Sequence, residues 1–152
     1  MKKLFKFLLI TTFFSYYFVA IALNFPLISN HLNLLGLTGD KALVHVSPET
    51  YLGKYPTVAN LEDYKRTEGI KRVITLMDPE FPISRELVKS EKKYCKTLGI
   101  EYIVIPIALF SKNPMDYMII RDFLDEEKKK TLIHAYFYDD RLLMLEKILK
   151  RY

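Results

Sequence analysis

The chain has 152 residues, half of them apolar and 27% charged, which fits one globular domain and excludes an intrinsically disordered protein. The net charge is +5, but Lys2, Lys3 and Lys6 supply three of these charges. Basic and acidic residues alternate over the rest of the chain instead of forming one stripe, so we expect no nucleic-acid partner. Cys95 is the only cysteine, which excludes an intrachain disulfide and a cysteine-based metal cluster.

An apolar segment follows the N-terminal lysines. Phe7 to Leu23 is a run of 17 uncharged residues, at the short end of the lengths that span a membrane. It has no polar face, which disfavours a buried helix of a soluble domain. Ala20-Ile21-Ala22 would suit signal-peptide cleavage, but the length of the run favours an uncleaved anchor. We therefore expect residues 7–23 to contact the membrane, within a signal anchor or signal peptide that spans residues 1–23.

The charge pattern around this segment predicts its orientation. Lysines precede it, and no lysine or arginine follows it until Lys41. The N-terminus is therefore expected in the cytoplasm and the domain outside it, periplasmic or extracellular, or exported if the signal is cleaved. Residues 24–41, which contain Pro26, Gly36 and Gly39, predict a tether with a short helix at His31 to Leu35.

Strand and helix patterns alternate over residues 42–152, the predicted domain. Strands are predicted at Ala42–Val46, Tyr51–Leu52, Lys71–Leu76, Glu101–Ile107 and Thr131–Ala135. Helices are predicted from Thr57 to Glu68, from Ser84 to Gly99, from Pro114 to about Glu127, and from Asp139 to Arg151. In the second helix, one apolar face is expected to carry Leu87, Val88, Tyr94, Cys95 and Leu98. The alternation predicts an α/β fold of three layers, with a mainly parallel sheet flanked by helices.

The last predicted strand leads into a turn that suits an anion. Ligands of such sheets bind beyond the carboxyl ends of the strands, where the turn from Ala135 to Asp140 lies. Backbone N–H groups at the following helix N-terminus can hold an anion, and Arg141 can add a bidentate grip on phosphate.

The sequence from about Tyr51 to Arg151 resembles the protein tyrosine/dual-specificity phosphatase superfamily. The resemblance rests on an ordered series of segments rather than on one motif. They are Tyr51-Leu52-Gly53-Lys54-Tyr55-Pro56-Thr57, Gly69-Ile70-Lys71-Arg72-Val73-Ile74-Thr75-Leu76, Leu98 to Ile107, and Leu132-Ile133-His134. The family's phosphate loop reads His-Cys-x5-Arg, and here it reads His134-Ala135-x5-Arg141. The resemblance implies a phosphate site at Arg141 with the loop residues Tyr136, Phe137 and Tyr138.

Departures from the family pattern imply that catalysis is lost. Ala135 occupies the position of the nucleophilic cysteine, whose thiolate a methyl group cannot replace. Tyr138 stands where the family usually has glycine, and Leu142 where it has serine or threonine. Asp139 and Asp140 add negative charge to a loop meant for a dianion. The loop from Ile107 to Pro114 holds no carboxylate to act as a general acid, and Asp116 comes too late for that role. We infer no catalytic residue, with His134, Ala135 and Arg141 as vestiges of the loop.

Simpler readings of the same residues stay open at this stage. His134 can be a core histidine bonded to nearby backbone. Arg141 can pair with Asp139 or Asp140 instead of a ligand. Asp78, placed before Pro79, can initiate a turn rather than act as a displaced acid. Cys95 reads as a small core residue. His31 and His45 have no ligand at metal-binding spacing, so we infer neither a metal nor a cofactor.

Three functions are compatible with the sequence. The first is a membrane-anchored, catalytically inactive phosphatase-like domain that binds a protein partner, through a filled pocket and the aromatic residues Tyr136 to Tyr138. The second is a weak or atypical phosphatase with Asp139 or Asp140 as nucleophile. The third is a structural envelope domain without a ligand. We favour the first.

Overall fold

The computed structural model describes residues 11–20, 43–108, 111–136 and 139–150. Residues 11–20 form helix α1. The strands are β1 (Leu43–Ser47), β2 (Thr50–Lys54), β3 (Arg72–Thr75), β4 (Glu101–Val104) and β5 (Thr131–Ala135). The other helices are α2 (Val58–Thr67), α3 (Pro82–Thr97), α4 (Pro114–Glu126) and α5 (Asp140–Leu149). Each predicted strand and helix of the domain is present, with ends that differ by a few residues.

The five strands form one sheet in the order β1-β2-β5-β3-β4. β5 lies at its centre, parallel to β2 and β3, and β3 is parallel to β4, whereas the edge strand β1 is antiparallel to β2. One face of the sheet buries Tyr117 of α4 and Leu142 of α5, and the other buries Leu61 of α2 and Cys95 of α3. The predicted three-layer, mainly parallel α/β fold is confirmed.

Local chemistry at the helix ends explains why these elements form. The Thr57 side chain accepts a hydrogen bond from the Asn60 amide, and the Asn60 side chain accepts one from the Thr57 amide, so α2 starts with a capping box. Gly69 and Gly99 follow α2 and α3 with φ of +73° and +62°. Glycine adopts this left-handed backbone without steric cost, so both helices end there and a buried strand follows.

Two predictions for α3 are wrong. The helix begins at Pro82 with Phe81 as N-cap, so Ser84 lies inside its first turn and is not the cap. Proline at the first helical position is favoured because its φ is already helical. Tyr94, expected on the buried face, is 41% exposed, whereas Glu91 is buried.

β4 is shorter than predicted, since it ends at Val104. The amides of Ile105 and Ile107 still donate hydrogen bonds to the carbonyls of Thr75 and Leu76 on the neighbouring β3 segment.

The predicted N-terminal segments are described only in part. Residues 11–20 are helical, and their large side chains are exposed, including Phe14, Tyr16 and Phe18. Within the described residues, no helix combines the length and the apolar character needed to cross a membrane. The rest of the predicted anchor and the tether at residues 24–41 lie outside the described residues.

Candidate functional site

The site lies where the central strand meets α5. Every residue of β5 is buried, and the backbone carbonyl of His134 accepts a hydrogen bond from the Leu76 amide at 2.9 Å. Ala135, at the predicted nucleophile position, is fully buried in the core cluster beneath α4 and α5. The last residue of β5 therefore has a methyl side chain, which offers no nucleophilic atom.

Arg141 is the arginine of the predicted phosphate loop, and it binds a side chain of the protein itself. It is 4% exposed in the first turn of α5. Its Nη2 donates to Asp139 Oδ2 at 2.6 Å, and its Nε donates to both carboxylate oxygens of Asp139 at 3.1 and 3.2 Å. This is the fork-to-carboxylate arrangement in which arginine also grips phosphate. Of the two partners left open by the sequence, the structure selects Asp139, and Asp140 is exposed.

The other edge of the guanidinium joins two loops. Nη1 of Arg141 donates to the carbonyl of Leu76 at 3.2 Å and to that of Ile107 at 3.1 Å. These carbonyls lie just after β3 and β4. The buried Arg141 side chain therefore links α5 to both of these segments at the carboxyl edge of the sheet. Four of the five N–H groups of the guanidinium are thereby used within the protein.

Asp139 also occupies the N-terminus of α5. As N-cap, its carboxylate accepts a hydrogen bond from the backbone amide of Arg141 at 3.0 Å. An anion at this position is stabilised by the free N–H groups and by the helix dipole. The sequence suggests that phosphate binds both to the N-terminus of α5 and to the guanidinium of Arg141. In the structure, the carboxylate of Asp139 makes both of these interactions.

His134 points to the opposite side of the sheet, towards α3. Its Nε2 lies 2.8 Å from Glu91 Oε1. Glu91 Oε2 accepts a hydrogen bond from the Tyr102 hydroxyl at 2.8 Å, and the edge of the Tyr55 ring packs on the His134 imidazole. His134 is therefore a core histidine, as the simpler reading predicts.

Sequence reasoning missed Glu91, although a signal was present. Glu91 lies three residues after Val88 and four before Cys95, which is the spacing of one helix face. A carboxylate on a buried face must be paired, and its partners, His134 and Tyr102, come from two different strands.

The pKa values of the groups around Glu91 are raised. Burial, together with the charge of Glu91, raises the pKa values of Tyr55 and Tyr102 above their usual range. Burial and then Glu91 raise the pKa of the Cys95 thiol to about 12. These groups are therefore protonated at neutral pH, and Cys95 is a core thiol rather than a nucleophile, as predicted.

The remaining predicted residues are placed as follows. Tyr136 is partly buried, and burial raises the pKa of its hydroxyl, while Phe137 and Tyr138 lie outside the described residues. Asp116 lies in α4, where its carboxylate accepts hydrogen bonds from Ser111 and Asn113. Asp78 caps a turn by accepting a hydrogen bond from the Glu80 amide, as expected. Over the described parts of the chain, no three His, Cys, Asp or Glu side chains are grouped to hold a metal ion.

Comparison with known proteins places this fold among phosphatases. No protein-family model matches the chain, and no curated protein sequence does. A DUF442 protein from Shewanella putrefaciens, named as a phosphatase, aligns with a TM-score of 0.60 and 21% identity over 74% of this chain and 72% of its own. The catalytic core of the Siw14 phosphatase from S. cerevisiae aligns at 0.61 and 17% identity over 73% and 65%.

A third structure agrees with these two. A protein from Neisseria meningitidis, also named as a phosphatase, aligns with a TM-score of 0.59 and 17% identity over 70% of this chain and 74% of its own. All of these identities are low, so they show the fold and not the activity. The chain has the fold of the protein tyrosine/dual-specificity phosphatase superfamily, as its sequence predicts.

Proposed function

We propose that this chain is a membrane-anchored, catalytically inactive phosphatase-like domain that acts as a binding or scaffold module. The observation that carries the proposal is the pairing of Arg141 with Asp139. The guanidinium that would hold a phosphoryl group already holds a carboxylate, and Ala135, at the position of the nucleophile, has no nucleophilic atom. To bind Arg141, a phosphorylated substrate would have to displace the carboxylate of Asp139, which lies only two residues before it in the chain.

The membrane attachment is supported by the N-terminal sequence. The run from Phe7 to Leu23 has no charged residue and follows three lysines. The part of it that is described, α1, exposes its aromatic side chains, and such side chains are stable in the interface of a lipid bilayer. The same pattern supports a domain that lies outside the cytoplasm.

Turnover and anion binding test the loss of activity. The full chain, in detergent, is assayed with p-nitrophenyl phosphate, a phosphotyrosine peptide and an inositol pyrophosphate. The last substrate is included because the yeast protein with a similar fold is named as a PP-IP phosphatase. The Siw14 core serves as the active control. We expect no turnover above background and no rise of Tm with phosphate, since a ligand that binds the native state raises its stability. Turnover that is lost in Arg141→Gln would refute the proposal.

A weak phosphatase with an aspartate nucleophile is the competing candidate. Asp140 favours it, because this carboxylate is exposed in the first turn of α5, one residue before Arg141. Attack by Asp140 would leave an acyl phosphate. Borohydride trapping of such an intermediate, absent in Asp140→Asn, would establish this candidate.

A further inference from the structure

Helix α3 carries a stripe of positive charge on its exposed side. The stripe consists of five basic side chains, Arg85, Lys89, Lys92, Lys93 and Lys96, all of them exposed. At 3.6 residues per turn their positions fall within an arc of about 100° and extend over about 17 Å of the helix. Glu86 is the one exposed acid of α3.

The stripe is a product of the fold and corrects an expectation from the sequence. Along the chain these basic residues are interspersed with Glu86 and Glu91, so the sequence alone predicts no basic stripe. The helix turns Glu91 into the core, where it meets Tyr102 and His134. The exposed side is left with five basic groups against one acid.

Most of this charge is not neutralised by the protein. Arg85 donates to the carbonyls of Pro79 and Glu80, and Lys89 pairs with Glu86. Among the ion pairs formed within the described residues, none involves Lys92, Lys93 or Lys96. Like charges this close on a helix repel each other, so an anionic surface laid along α3 would be attracted by the whole stripe.

We propose that α3 docks on the anionic headgroups of a phospholipid bilayer. The inference rests on the proposed membrane attachment, which keeps the domain within reach of a lipid surface. A straight row of cations suits a flat anionic layer, because lysine and arginine side chains near an anionic lipid surface are attracted to it electrostatically. Phe81, the N-cap of α3, is 56% exposed, which places an aromatic ring at one end of the stripe where it can enter the headgroup region.

Energy transfer to labelled lipid tests the docking. The full chain carries a dye at Ser90→Cys, an exposed position of α3, while the buried Cys95 thiol stays unlabelled. It is placed in nanodiscs that contain acceptor-labelled lipid and are either neutral or rich in phosphatidylglycerol. We expect a transfer efficiency about twofold higher on the anionic discs, and loss of the difference at high salt, where surface charges are screened.

Matched variants separate the stripe from total charge. The neutralised stripe is Lys92→Gln, Lys93→Gln and Lys96→Gln, which should abolish the difference between discs. The control neutralises three exposed lysines elsewhere, Lys112→Gln, Lys128→Gln and Lys147→Gln, and should keep it. Equal transfer on both discs, or equal loss in both variants, would overturn the proposal.

Flotation distinguishes the docking from the anchor. Neutral vesicles offer no counter-charge to the stripe, so flotation with them reports the N-terminal segment alone. Flotation on neutral vesicles without a transfer difference overturns the docking and leaves the anchor. A transfer signal on anionic discs without flotation on neutral vesicles supports the docking and overturns the anchor.

Discussion

The carboxylate of Asp139 lies across the guanidinium of Arg141, with Asp139 Oδ2 2.6 Å from Arg141 Nη2. Both side chains are largely buried, and the carboxylate also caps the helix that carries the arginine. A paired arginine costs much less to bury than a free one. Arg141 is therefore paired without a phosphate, because the neighbouring sequence supplies the anion.

Restoring the missing cysteine should not restore the reaction. In Ala135→Cys the guanidinium of Arg141 would still be bound to Asp139, and the described part of the loop between β4 and α4 offers no carboxylate as general acid. We expect p-nitrophenyl phosphate turnover to stay at background over the whole range of neutral pH. Turnover near that of an active relative such as the Siw14 core would contradict the prediction.

Removing the internal anion should expose the arginine to phosphate. Asparagine is as good an N-cap as aspartate, so Asp139→Asn removes the charge and keeps the cap. We expect it to lower the free energy of unfolding by about 1–3 kcal/mol, because Arg141 loses its counter-charge. Asp139→Ala also loses the cap and should cost about 1 kcal/mol more.

The gain of binding is the decisive part of this experiment. Phosphate should raise the Tm of Asp139→Asn but not that of the native chain, since bound ligand stabilises the folded state. The double variant Asp139→Asn/Arg141→Gln is the control and should lose the response. An equal rise of Tm in the native chain would mean that phosphate already competes with Asp139.

Local sequence signals predicted the elements well. β5 was predicted with the observed ends, because an apolar run between Lys130 and Tyr136 fits a buried strand. α2 was predicted from Thr57 and Gly69, whose cap and left-handed backbone are local properties. Ser84 was misplaced as a cap because two start signals, Pro82 and Ser84, compete within one turn.

The site was harder to predict, because its pairs are set by geometry. The sequence leaves both Asp139 and Asp140 open as partners of Arg141, and the N-cap position of Asp139 decides between them. The burial of Glu91 depends on His134, 43 positions later, and on Tyr102. A charged residue is usually expected on the surface. Local sequence rules therefore do not predict the contacts of Glu91 with Tyr102 and His134.

The buried contact of Glu91 with Tyr102 should appear as a coupling energy. In Glu91→Leu the Tyr102 hydroxyl loses its acceptor, and in Tyr102→Phe one oxygen of Glu91 loses its donor. Each change should lower the free energy of unfolding by about 1–3 kcal/mol. The double variant should be less destabilised than the sum, with a coupling of about 1 kcal/mol in urea unfolding.

Tyr94 supplies the control for this cycle. It lies on the same helix as Glu91 but is 41% exposed, so Tyr94→Phe should show no coupling with Glu91→Leu. A coupling energy of the same size for both tyrosines would mean that Glu91→Leu disturbs the helix rather than one hydrogen bond.

Acid should weaken the charge network at the opposite edge of the sheet. Arg72, which is fully buried, donates from Nε to Glu101 Oε2 at 2.9 Å, and Lys129 donates to the same oxygen at 3.1 Å. Arg72 also lies over the Phe123 ring. Burial opposes ionisation of Glu101, but the hydrogen bonds from Arg72 and Lys129 outweigh it and lower the pKa of the carboxyl.

The direction of this shift fixes the pH dependence. A carboxyl whose pKa is lower in the folded state stabilises the fold fully above its unfolded pKa, about 4.3, and this contribution is lost as the pH falls through the folded pKa. Glu101 is 42% exposed, so solvent screening limits the contribution to about 1 kcal/mol or less. We therefore expect Glu101→Gln to be less stable than the native chain at pH 7, and the difference to vanish as the pH falls through the lowered pKa of Glu101 in the folded state. Urea unfolding across this range measures it, with Glu62→Gln, an exposed change on α2, as the control. A difference that stays constant with pH would show that the carboxylate charge of Glu101 does not stabilise the fold.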